Sequence, residues 1–210
     1  MKLALFAVPL ALWSAACPRA PADNGSNEPS LPATDAPPVT PQATGERVSI
    51  AAADAASRNL PALGFSLVLA DGMGMLATAF PDQLSYLAVS GPPGGPLFLI
   101  VQPWSDPQHD DALPAEQEMR RRFTSESDPY AWHGEASVQA AGSARLAFAF
   151  ETGASMARTL WCAVTLDPPA GASSGLLLAA AIPAAGVEPS CASVAEHPAM
   201  APMLATFRYE

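Results

Sequence analysis

Gly171-Ala172-Ser173-Ser174-Gly175 has the G-x-S-x-G spacing that exposes a nucleophilic serine beside an oxyanion hole when it sits on a strained strand-to-helix turn. Glu188 and His197 follow it, so an acid and a base come after the serine in chain order. The flanks are wrong for that use: Asp167-Pro168-Pro169 stands before the motif and the strand-like GLLLAAAIP after it, which predicts a hairpin loop. His133-Gly134-Glu135 supplies the H-x-E half of a two-part zinc signature whose P-C-x-x-C half is missing. His109-Asp110-Asp111 offers an imidazole and two carboxylates, yet His109, His133 and His197 show no H-x-x-x-H spacing and there is no C-x-x-C. Gly72-Met73-Gly74-Met75-Leu76-Ala77 has the G-x-G-x-x-A spacing of a dinucleotide loop, but Pro81 follows within a turn where the phosphate-binding helix should run. A glycine turn between strands is the expectation there. No catalytic, metal or cofactor site is expected, and the chain is read as not an enzyme.

Charge narrows the classes further. The only lysine is Lys2, which removes Schiff-base chemistry and a phosphate-loop lysine from the remaining sequence. A formal net charge of −10 leaves no basic footprint, so no nucleic-acid partner is expected. Arg120-Arg121-Arg122 is the one basic run, and Glu116 and Glu118 stand four residues ahead of Arg120 and Arg122. That spacing predicts a solvated helix face balanced by its own carboxylates.

The first residues give an address. Lys2 precedes a short apolar run, Leu3 to Trp13, too short for the ~20 residues of a spanning helix. It ends in the small residues Ser14-Ala15-Ala16 and then Cys17, so residues 1–16 read as an export signal. The Ala-Ala-Cys boundary resembles the lipobox of bacterial lipoproteins, with Ser14 where that family usually carries Leu, Val or Ile. The resemblance implies a diacylglyceryl group on the Cys17 thiol and a membrane partner through that lipid. Ordinary signal peptidase cleavage after Ala16 is the alternative. With Cys17 lipidated, the 3 Cys reduce to an even pair, Cys162 and Cys191, in an oxidising compartment. A disulfide between them is expected; two buried reduced thiols are the other reading.

Residues 17–47 are rich in proline, alanine and small polar groups, with almost nothing large to bury, and read as a disordered tether reaching from ~30 Å as a coil to ~90 Å extended. Residues 48–210 are one domain by length. Strands are expected at 64–72, 84–91 and 95–104, then a helix from Pro114 to about Ser125 whose Ala115, Met119 and Phe123 share a face. A meander follows at 135–142, 143–152, 157–167 and 175–183. A closing helix runs from Glu188 to Tyr209, with Ser190 as its N-cap and Cys191 at its start. Trp104, Trp132 and Trp161 either line a cleft or fill the core. The fold class is α+β: an antiparallel sheet covered by helices, one domain behind the linker.

GFSLVLADGM, a mid-chain helix, AAGSARLAFAF with two further strands, and the terminal MLATFRYE resemble, in that order, the PsbP/DcrB-like fold over about residues 60–210. The resemblance implies an adaptor or assembly factor, with no catalytic residues to carry over. The function expected is therefore an envelope lipoprotein acting as a non-catalytic binding or assembly module. It would be exported and membrane-anchored on the periplasmic or extracellular side, with an envelope protein or small ligand as its partner. The alternatives are an envelope hydrolase using Ser173, a metal enzyme using His109 and His133, or a purely structural surface lipoprotein.

Overall fold

The computed structural model describes residues 45–76, 85–91, 97–105, 115–154 and 158–210. The expected signal, Cys17, nearly all of the tether, His109 and Pro114 lie outside the described residues. The chain begins with β1 (Arg47–Ile50), α1 (Ala52–Ser57), β2 (Phe65–Val68), β3 (Gly74–Met75), β4 (Leu87–Ser90) and β5 (Phe98–Trp104). Then come α2 (Ala115–Phe123), β6 (Tyr130–Ala140), β7 (Ser143–Thr152), β8 (Thr159–Leu166) and β9 (Gly175–Pro183). The last elements are α3 (Cys191–Ala195), α4 (Ala201–Thr206) and β10 (Arg208–Tyr209).

Seven strands form one antiparallel sheet in the order β3-β4-β5-β9-β8-β7-β6, and β1-β2-β10 form a small second sheet. The fold is α+β. The meander β6 to β9 arises because each strand ends in residues that turn the chain cheaply. Ala140 pairs with Ser143 across Ala141 and Gly142, both at positive φ (51° and 75°), the two-residue turn that matches strand twist. At the β8–β9 hairpin, a Cβ on Gly175 would strike the Leu166 carbonyl, so only glycine lets the two backbones approach there.

Strand alternation builds two cores. On one face, Leu160, Cys162 and Val164 of β8 and Leu176 and Leu178 of β9 pack with Phe65, Leu67, Val194, Met203 and Phe207 from the small sheet and its helices. On the other, Ile100, Phe148, Phe150, Trp161 and Leu177 pack with Met119 of α2. Ala163, Ala179 and Ala181 project little from this second face, which leaves the layer to aromatic rings. Because side chains alternate, a one-residue slip of β9 would exchange its two sets of leucines and alanines, and burial on both faces fixes the register.

Three expectations need correction. The closing helix is two short helices and a strand. Ser190 does cap the first, its Oγ accepting from the Ser193 N–H at 3.2 Å. Pro198, with no N–H to give, follows within three residues of α3, and Pro202 opens α4 at its first turn. Phe207 then leaves the helical region (φ −60°, ψ 135°), and Arg208 and Tyr209 pair with Ser66 and Phe65. The strand expected at 64–72 belongs to the small sheet. Finally, β1 starts at Arg47, the last residue of the expected linker, and β6 starts at Tyr130, five residues before the expected strand.

Candidate ligand groove

Ser173 is exposed in the β8–β9 loop, which runs straight into β9, so no strand-to-helix elbow forms around it. His197 lies between α3 and α4, its Nδ1 accepting from the Ala199 N–H at 3.2 Å. Gly72, at φ 78°, turns the chain into β3, a strand paired with β4 and not a phosphate-facing helix. His133 and Glu135 are separated by a bulge between Trp132 and Gly134. His133 Nε2 lies 3.9 Å from the Glu151 carboxylate, whereas Glu135 lines a cavity with Phe148. Among the described residues no three His, Cys, Asp or Glu side chains stand together to hold a metal ion.

Cys162 and Cys191 form a disulfide, their Cα atoms 4.9 Å apart and both residues fully buried. It joins β8 to the first residue of α3, and its burial marks it as a structural cross-link.

A groove opens where α2 stops covering the sheet's second face. Met119 is fully buried under α2, and Ala115 and Phe123 pack partly buried beside it. Glu118 organises the helix surface: Arg121 donates Nε and Nη2 to its two oxygens at 2.8 Å each, and Arg122 donates Nε at 2.5 Å. The Arg121 hydrogen bonds hold the Glu118 carboxyl below its ordinary value against the opposing effect of burial, with Arg122 adding to them. The arginine run is therefore not one solvated face. Arg121 fits that description. Arg122 reaches back to the sheet, donating Nη1 to the Pro103 carbonyl at 2.9 Å, and its guanidinium carbon lies 5.3 Å from the Trp104 ring centre. Arg120 lies over Tyr130 at 5.1 Å.

Beside the first residue of α2 the aromatic layer continues to the edge of a cavity. Phe148 carries Trp132 stacked at 5.9 Å and 28°, with Trp104 tilted 6.5 Å away. Trp104, Phe148, Leu146 and Leu166 line a cavity of about 310 Å³, closed on one side by Ala115. Its polar lining is Glu135, Arg145, Thr165 and Asp167. Arg145 Nη1 is spent on Asp167 Oδ2 at 2.7 Å, and Thr165 Oγ1 donates to the Leu146 carbonyl at 3.1 Å. The Arg145 Nε is buried without a hydrogen-bond partner among the described residues. Leu146 is 48 % exposed, a large apolar side chain left on the surface. Trp104 thus lines a cleft and Trp132 stands beside it. Trp161 is core, stacked on Phe150 at 6.1 Å with its Nε1 donating to Thr152 Oγ1.

A second cleft of about 470 Å³ lies between residues 61–64 and 169–174, with Ala52 and Glu210. Apart from Leu63 and Glu210 its walls are alanine, glycine, proline and serine, so it offers little apolar area to a ligand. Ser174 Oγ is buried there without a hydrogen-bond partner among the described residues. On the first face, Glu151 is 4 % exposed and ion-paired to Arg158. Burial, with the Arg158 charge adding to it, holds the neighbouring His133 below its ordinary value.

The groove draws on β5, α2, β6, β7 and β8, and no short motif announces it. The signal in the sequence was the alternation Tyr130-x-Trp132 ahead of the expected strand at 135, which extends β6 along the aromatic face.

No protein-family model matches the sequence, and no curated protein matches it. Among solved structures the chain is similar to the solution structure of cyanobacterial PsbP (CyanoP) from Synechocystis sp. PCC 6803. The two share 7 % identity with a TM-score of 0.38, over 57 % of this chain and 75 % of that one.

Proposed function

We propose that this chain is a non-catalytic binding module of the cell envelope, held at a membrane by a lipid on Cys17 and carried on the 17–47 tether, with its ligand taken in the Trp104–Phe148 groove. The observation that carries the binding reading is the cavity of about 310 Å³ beside Trp104 and Phe148, with Leu146, a large apolar side chain 48 % exposed, on its wall. Concave, mostly apolar clefts with a few convergent polar groups are where proteins take ligands. Lipid anchoring follows from the Ala15-Ala16-Cys17 boundary, since acyl chains contribute ~0.8 kcal/mol per buried methylene and hold a domain without a spanning helix.

Two measurements test the two halves. Intact mass of the chain taken from its own membranes should begin at an acylated Cys17; an unacylated Cys17 refutes the anchor. For the groove, a photo-crosslinking residue at Leu146 should capture a specific partner or ligand in cells. Excess wild-type chain should displace it and excess Leu146→Asp chain should not. Equal displacement by both removes the groove from the reading.

A further inference from the structure

We propose that two copies of this chain join through the free edge of β6, related by a two-fold axis at Ser137, so that their seven-stranded sheets run on into one. β6 is the last strand of its sheet and 11 residues long, against 2 residues in β3 at the other edge. Its two-residue turn closes on the Ala140–Ser143 pair, and the pair that closes such a turn exchanges hydrogen bonds. Counting back in twos, Ala140, Val138 and Ala136 bond to β7, while Gln139, Ser137 and Glu135 turn their N–H and C=O groups outward. These three residues are exposed, and none of the turn, loop or cap hydrogen bonds among the described residues reaches their backbone. The bulge between Trp132 and Gly134 limits the regular edge to 134–140, GEASVQA, which carries neither the lysine nor the proline that commonly guards an edge. Its own sequence argues for a second copy as occupant. Outward groups must oppose outward groups, and an axis at Ser137 pairs all three: Ser137 with itself, and Glu135 with Gln139 twice. Each opposed pair exchanges two hydrogen bonds, so this register makes about six and an axis one residue to either side about four. The side chains agree. On one face the Glu135 carboxylate meets the Gln139 amide, on the other Ala136 meets Val138, and no like charges oppose each other. Both copies spend the same edge, so the assembly closes at a dimer. The pairing depends on neither the lipid nor a ligand, but Glu135 lines the cavity beside Trp104, so Gln139 of the second copy joins its rim.

The test is disulfide trapping in the full chain, oxidised in the cells that make it. Opposed residues of a hydrogen-bonded pair stand ~5.5 Å apart at Cα, within disulfide reach. Ser137→Cys should therefore link to itself, read by mass as two copies of the peptide that holds the new thiol, which sets aside any link through Cys17. Ser173→Cys, at an exposed serine of the β8–β9 loop, reports chance collision. Pairing raises the effective concentration of the opposed thiols, so the Ser137→Cys yield should exceed the Ser173→Cys yield by about five-fold or more. Glu135→Cys should not link to itself, because the two copies of that residue lie ~13 Å apart along the strands. Coexpressed with Gln139→Cys it should link. Adding Ser137→Lys to both chains sets two ammonium groups at the axis and should abolish that link. All of these sites are exposed, so none of the variants threatens the fold. Equal yields at Ser137 and Ser173, or a link between positions 135 and 139 that survives Ser137→Lys, overturns the pairing. Self-linking of Glu135→Cys as efficient as its link to Gln139→Cys overturns the axis at Ser137. Capture of a different protein by Ser137→Cys in place of a second copy overturns the dimer. Each of these results leaves the groove and the lipid anchor as they stand.

Discussion

Glu151 holds its carboxylate 4 % exposed on the sheet's first face, and Arg158, half exposed, is the cation that makes this tolerable. Removing one member of a buried pair strands the other, at a cost of ~3–5 kcal/mol when both are buried. Here water reaches the arginine end, so Arg158→Met should cost about 1–3 kcal/mol in urea unfolding at neutral pH. Adding Glu151→Gln to that variant should recover part of the loss, because the stranded charge is gone; no recovery would show that Arg158 acts through packing alone. His133 sits against the same pair and supplies an acid-side signature. Burial and the Arg158 charge hold its folded pKa below the ordinary 6.5, so the unfolded chain binds a proton there more readily. The contribution is fully present above pH 6.5 and is lost as pH falls through the folded value. Stability measured against pH should therefore decline below 6.5 in the wild type and flatten in His133→Asn, well above the range where Glu118 titrates.

At the scale of elements, what the chain disclosed in advance depended on how many residues carried each pattern. β7 and β9 are found at the expected bounds, 143–152 and 175–183, since eight or more alternating or continuously apolar residues lie between glycine, serine and proline turns. β1 and β10, of four and two residues, are too short to hold a period and are defined only by pairing with β2. The closing segment misled for a different reason. Its apolar residues Met200, Met203 and Leu204 stand at i, i+3 and i+4 and are buried together with Val194 upstream, but Pro198 and Pro202 break the segment. With α3 only five residues long, its docking depends on the Cys162–Cys191 bond to β8. Closing a loop of sequence separation 29 stabilises by about 3–4 kcal/mol in the chain-entropy treatment. The Cys162→Ala, Cys191→Ala double variant should melt about 10 °C lower, and its earliest gains in hydrogen exchange should fall in α3. An unchanged melting temperature would show that α3 is held by Val194 and its neighbours without the cross-link.

The groove was not legible for a reason that belongs to the whole molecule. Its lining runs from Trp104 to Pro168 in sequence and comes together only because β5, β7 and β8 lie in one sheet. Trp104 and Trp161 read alike as strand tryptophans and are equally buried, but only Trp104 borders the cavity. The same sheet also makes the two cores one thermodynamic unit. Leu177 and Leu178 are neighbours on β9, both fully buried, and alternation sends Leu177 to the aromatic core and Leu178 to the core beneath the small sheet. Loss of either core exposes a face of the same central strand and breaks the ladders to β5 and β8 that the other core needs. Leu177→Ala and Leu178→Ala should therefore each cost ~2–5 kcal/mol and lower a single calorimetric transition, with calorimetric and van't Hoff enthalpies equal in both variants. Had the aromatic face with α2 been a separately melting layer, Leu177→Ala would split the transition in two and Leu178→Ala would not. A split transition in the first variant would also change the view of the groove, making it a surface that opens with α2 while the rest of the domain stays folded.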